Sequence, residues 1–173
     1  GGWMMRLLQE DPVAWFEAGP MEEGSELDPA RIEELLRERE RLQYYLAGII
    51  NSMPSVLIGL DANEKITQWN QEAELTTGLS FKDVLSRPFN EVYPRLRDKL
   101  PDIKEAIDNK QIITQNKVLF TDKRVTRYVD ITIFPIIDDS SSGAVIRIDD
   151  ATDRVRLEEM LVQSEKMLSV GGL

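Results

Sequence analysis

The stretch RVTRYVDITIFPI, residues 124–136, does most to narrow what this chain can fold into. In it Val125, Val129, Ile131 and Ile133 alternate with Thr126, Tyr128, Asp130, Thr132 and Phe134. A period of two gives a strand one buried and one solvated face. QIITQNKVLF before it and GAVIRID after it read as further strands, joined through the turn segments TDKR and DDSSSG. Upstream, SVLIGLD and KITQWN flank ANE, a hairpin turn in which Asn63 is expected to take the left-handed conformation. Between the two groups of strands Asn70 and Ser80 are expected to cap short helices, and Gly78 to end one. RLRDKLPDIKEAIDNK reads as a longer helix broken by Pro101. Two strands, small helices, then three strands predict an α+β fold: a five-stranded antiparallel sheet with helices on one face.

Helical stretches flank this block. From Asp28, DPARIEELLRERERLQYYLAGIINSMP begins with an Asp N-cap and a first-turn Pro29. Ile32 and Leu46 share one heptad position; Leu35, Leu42 and Ile49 share the other, and Arg39 interrupts the seam. That spacing suits a coiled coil, while Leu36, Tyr45 and Ile50 broaden the stripe as a helix lying on its own domain requires. After DDAT, Leu157, Leu161, Ser164 and Leu168 continue a spacing of four and three in a second candidate coiled coil. Gly1 and Gly2 read as a cloning remnant. Residues 3–20 read as two short helices, with Asp11 and Pro12 at one start and Gly19 and Pro20 at one stop. Trp3, Met4, Trp15 and Phe16 then pack locally in a helical cap or offer an apolar surface. The expected domains are 1–27, a helical extension or fusion segment; 28–52, a first heptad helix; 53–152, the mixed domain; and 153–173, a second heptad helix.

Charge and missing residue types exclude several functions. A chain of 173 residues holds one ordinary core with helical extensions. Its 31 acidic and 21 basic side chains give a net charge of -10, which repels nucleic-acid backbones and anionic lipid. No run approaches the ~18 apolar residues of a membrane span, and no basic stretch followed by an apolar one suggests secretion. There is no cysteine and no histidine. Thiolate and imidazole chemistry are therefore absent, as is a phosphoacceptor histidine. Asp138–Asp139 reads as a solvated hairpin tip, and Asp149–Asp150 lacks the alternating parallel topology of an acidic receiver pocket. With no Gly-rich phosphate loop and no nucleophile constellation, the chain is expected not to be catalytic.

Residues 42–156 resemble a PAS domain. The resemblance is carried by NSMPSVLIGLDANEKITQWNQEAELTTGLSFKDVLSRPF: a strand ending in Asp61, a strand ending in Trp69–Asn70, the Asn70-x-x-Ala73 helix start, and Gly78–Leu79–Ser80. Asp150–Ala151–Thr152 is similar to the family's Asp-x-Thr junction between the last strand and an outgoing helix. Two loop positions depart from the pattern. Asn63–Glu64 stands where Asn-Gly or Asp-Gly is usual, and Ser86 where Gly usually precedes Arg87. The tail LEEMLVQSEKMLSVGGL is similar to the helix leading into the phosphoacceptor box of PAS-containing sensor histidine kinases, so the chain is expected to end just short of that histidine. LLQEDPVAWFEAG and LDPARIEELLRER resemble a helical stretch near the C-terminus of cysteinyl-tRNA synthetases; a natural extension, a fusion partner and coincidence all fit.

The PAS resemblance implies sensing through a cavity between sheet and helices. Tyr93, Arg95, Thr132 and Arg147 are the candidate pocket groups, and each also suits a structural position. A flavin adduct needs the missing Cys and His-ligated haem the missing His; Met- or Tyr-ligated haem, a bound metabolite, or no ligand at all remain. The implied assembly is a cytoplasmic parallel homodimer with kinase domains in cis, signalling through Asp150, Ala151 and Thr152, either of whose polar side chains would cap the outgoing helix. The alternative is a PAS dimerisation or sensor module of a transcription regulator or cyclic-dinucleotide enzyme.

Overall fold

A computed structural model describes residues 28–122, 125–138 and 141–171. The expectations for residues 1–27, including the first of the two synthetase-like stretches, and for Gly172 and Leu173 lie outside the described residues. The chain divides into two compact units, residues 1–45 and 46–173.

Helix α1 spans Pro29–Ser52. Asp28 starts it as its sequence position suggests: Oδ1 accepts from the Ala30 N–H at 3.2 Å, and its carbonyl accepts from Arg31 and Ile32 at 2.8 and 3.0 Å. None of its residues is buried. Ile32, Leu35, Leu42, Leu46 and Ile49 are 39–55% exposed, an apolar stripe left uncovered among the described residues.

Five strands follow: β1 (Val56–Asp61), β2 (Ile66–Trp69), β3 (Ile113–Asp122), β4 (Val125–Ile137) and β5 (Ser142–Asp150). They form one sheet in the order β2-β1-β5-β4-β3, with every neighbouring pair antiparallel. The incoming strand β1 and the last strand β5 are direct neighbours, in register from Val56↔Ile148 to Asp61↔Gly143. Backbones approach closely at the end of that pair: a Cβ on Gly143 would sit 2.2 Å from the Leu60 carbonyl oxygen.

Helices α2 (Gln71–Thr77), α3 (Phe81–Val84), α4 (Phe89–Val92), a 3₁₀ segment (Pro94–Lys99) and α5 (Leu100–Asn109) connect the two groups of strands. Their buried residues Ala73, Val84, Phe89, Leu96, Ile103 and Ala106 form one cluster with Ile58, Leu60, Ile66, Ile131, Ile133 and Ile146 of the sheet. Each large side chain buried this way contributes about 1.5–3 kcal/mol. Alternation along β4 holds where the sheet is covered: Val129, Ile131 and Ile133 are buried, whereas Val125, nearer the hairpin end, is 52% exposed.

Two local expectations change. In the β1–β2 turn the left-handed residue is Glu64, with φ +61°, not Asn63. The Asp61 carboxylate accepts from the N–H of Asn63 (2.8 Å) and of Lys65 (2.9 Å), which fixes Asn63 and moves the reversal one residue on. Pro101 does not break a helix. It lies in the first turn of α5, where its missing N–H costs nothing, and the change from 3₁₀ to α falls just before it, between Lys99 and Leu100. Ser86, at the position where the family pattern has Gly, does take the left-handed conformation, with φ +63°.

The last element, α6, spans Thr152–Gly171 and buries only Thr152 and Val155. Leu157, Leu161 and Leu168 are 57%, 58% and 74% exposed.

Candidate functional site

Asn70 organises the start of the domain. It is 1% exposed, and its amide makes four hydrogen bonds. Oδ1 accepts from the Ala73 N–H that opens α2 and from the Leu57 N–H in β1, both at 3.0 Å. Nδ2 donates to the carbonyls of Ser55 (2.8 Å) and Ile50 (3.3 Å). The sequence suggests the cap alone; the side chain also joins the end of α1 and the start of β1. An amide has both donors and acceptors for this, which a carboxylate lacks.

At the other end of the domain, Asp150 Oδ1 accepts from the Thr152 N–H at 2.9 Å, so Asp150 performs the cap-like role. Thr152 turns back to the sheet: its Oγ accepts from the Tyr128 N–H at 3.1 Å and faces the Tyr128 carbonyl at 3.4 Å. The Ala151 N–H donates to that same carbonyl at 2.8 Å. The β5–α6 junction thereby continues the pairing with β4. Burial alone would raise the Asp150 pKa, but the hydrogen bonds from Thr152 and the charges of Arg127 and Arg156 outweigh it and hold the carboxyl below its ordinary value. Arg127 Nη1 lies 3.7 Å from Asp150 Oδ2.

A pocket of about 460 Å³ opens beside this junction, between the end of the sheet and the helices. Val56, Tyr93, Leu96, Phe120, Val129 and Ile148 supply its apolar wall; Glu72, Thr76, Arg127 and Asp150 supply its polar groups. Tyr93 sits at the centre of an aromatic cluster, edge-on to Trp69, Phe89 and Phe120 at 6.3–6.4 Å.

The four pocket candidates named from the sequence do not share this cavity. Tyr93 lines it. Arg95 does not line it; its guanidinium lies 5.7 Å from the ring of Phe120, which does. Thr132 and Arg147 are register partners on the other sheet face, where Arg147 lies 5.4 Å from the Phe134 ring and donates from Nε to Asp149 at 2.9 Å. Their parity along the strands, opposite to that of Ile131, Ile133, Ile146 and Ile148, puts them there. Asp149 also bonds Ser55 Oγ, linking the start of β1 to the end of β5.

The model of the PAS fold family matches residues 44–151, more than half of the chain, and the chain belongs to that family. No curated protein matches it. Among solved structures, the PAS domain of the histidine kinase ThkA is 27% identical, over 56% of this chain and 98% of its own, with a TM-score of 0.49. The PAS domain of Bordetella pertussis BvgS is 17% identical, over 73% of this chain and 98% of its own, with a TM-score of 0.54. An RNA-binding light-oxygen-voltage receptor is 16% identical, over 88% of this chain and 42% of its own, with a TM-score of 0.56. The last two share the fold. Among the described residues no helix is long and apolar enough to cross a membrane.

Proposed function

We propose that this chain is the input module of a cytoplasmic two-component sensor histidine kinase, acting as a parallel homodimer. In the dimer α1 and α6 would each pair with their copies through the Ile32–Ile49 and Leu157–Leu168 stripes. A small molecule in the pocket beside Asp150, or a partner that prefers one conformation, would shift the start of α6 and so the kinase domains that follow. Such a ligand biases the equilibrium only through its differential affinity for the two states.

One observation carries this reading. The helix that leaves the sheet at Asp150–Thr152 has an uncovered apolar stripe and continues into the Ser164–Glu165–Lys166 sequence that resembles the approach to a phosphoacceptor box. The parent reading frame gives the first test: a His-Glu pair within a few residues after Leu173 supports the kinase, and a regulator or cyclic-dinucleotide domain there refutes it. In the full-length protein Asp150→Ala is expected to alter autophosphorylation while leaving the PAS domain folded.

A further inference from the structure

Beyond the Asp150–Thr152 junction, α6 has a second attachment to the sheet. The β3–β4 register shifts between Gln115 and Val118, and Lys117 in that bulge has φ +56°, a left-handed conformation that non-glycine residues seldom adopt. Its N–H donates to Asp130 Oδ1 on β4 at 3.0 Å. The other oxygen of the same carboxylate accepts from Arg154 Nη2 on α6 at 2.7 Å. Lys117 Nζ reaches Glu158 Oε2 at 2.6 Å, and Arg154 Nε lies 3.9 Å from Glu158 Oε1. Two cations and two carboxylates from three elements close a circuit with no net charge.

We propose that this circuit is an electrostatic latch. It holds the first two turns of α6 against β3 and β4, and its opening frees the helix start while the sheet and the Asp150–Thr152 junction stay intact. Apolar burial gives α6 little other anchorage, since only Thr152 and Val155 are buried. The Asp130 side chain is 16% exposed, so its two bonds are partly shielded from water, whereas Lys117, Arg154 and Glu158 are 45–53% exposed and open to screening by salt. Hydrogen bonding to Lys117, with the Lys117 and Arg154 charges, holds the Glu158 carboxyl below its usual range.

The latch bears on signalling only if α6 is the output path proposed above, but it is a property of this chain and is tested on it. The measurement is hydrogen exchange at the amides of residues 156–160. Lys117→Met and Glu158→Gln, both surface changes, are each expected to speed exchange there about five- to tenfold at low salt, with the amides of β1, β4 and β5 unaffected. Because the two groups act as one unit, the double variant is expected to go no further than either single one. Salt at about 1 M, where the screening length is about 3 Å, is expected to bring the unmodified chain close to the variants. Unchanged α6 exchange, additive effects, or equal acceleration in the sheet would each overturn the latch, and none of these outcomes touches the kinase reading.

Discussion

The two ends of the PAS domain are held by opposite chemistry. At the incoming end, Asn70 is buried, uncharged and fully hydrogen-bonded, and it ties α1, β1 and α2 together. At the outgoing end, α6 is held by half-exposed charged groups at Asp150, Arg154 and Glu158, and by two buried residues. A buried neutral network is insensitive to salt and pH and is lost all at once. Charged pairs facing water are weak one by one and respond to their surroundings. The difference assigns a fixed mounting to the incoming side and an adjustable one to the outgoing side.

The sharpest way to break that comparison is Asn70→Ala. It removes a helix cap and leaves the Leu57 N–H and the Ser55 carbonyl without their side-chain partner, so a loss of about 3 kcal/mol is expected in denaturant unfolding. A loss below about 1 kcal/mol would show that the incoming side is no firmer than the outgoing one. Next in size is Leu157→Asp combined with Leu161→Asp. For the dimer proposed above, native mass spectrometry is expected to show the variant as monomer, with unfolding of the domain itself unchanged; a persisting dimer would remove the α6 stripe from the interface.

Asp150→Ala is expected to cost about 1 kcal/mol at most, because the carboxylate is 54% exposed, and to act mainly on α6. Thermal unfolding and α6 hydrogen exchange together separate that local effect from a global one. The smallest effect is that of pH. The Asp150 and Glu158 pKa values are both lowered in the folded protein, so their contribution is complete above the ordinary carboxylate range, about 4. It is lost as pH falls through the lower folded values. Asp150 faces Arg127 and Arg156, and Glu158 faces Lys117, Arg154 and Asp130, none of which reverses the sign. Acid below about pH 4 is therefore expected to speed α6 exchange before the Asn70 region responds; simultaneous loosening of both would erase the contrast.

What the sequence disclosed followed the range of the interactions. The succession of strands and helices along the chain, the Asn70 cap and the Gly78 stop rest on local preferences and near neighbours, and the structure contains all three. The pocket was only partly legible. Tyr93 lines it, but Thr132 and Arg147, candidates on the same sequence grounds, have a strand parity that separates them from Ile131 and Ile148. Arg127 and Asp150 come together only across the β4–β5 hairpin. The α6 attachment was not legible at all. Lys117, Asp130 and Glu158 lie far apart in the chain, and their meeting depends on a bulge that no glycine marks.

The adjacency of β1 and β5 reaches beyond sensing. Val56 is paired with Ile148, so the polypeptide arrives at and departs from the sheet side by side. A unit with neighbouring ends can be spliced into or excised from a longer polypeptide with little detour in its path. This geometry suits the domain to duplication in tandem and to transplantation between unrelated effectors, whatever signal it serves in any one of them.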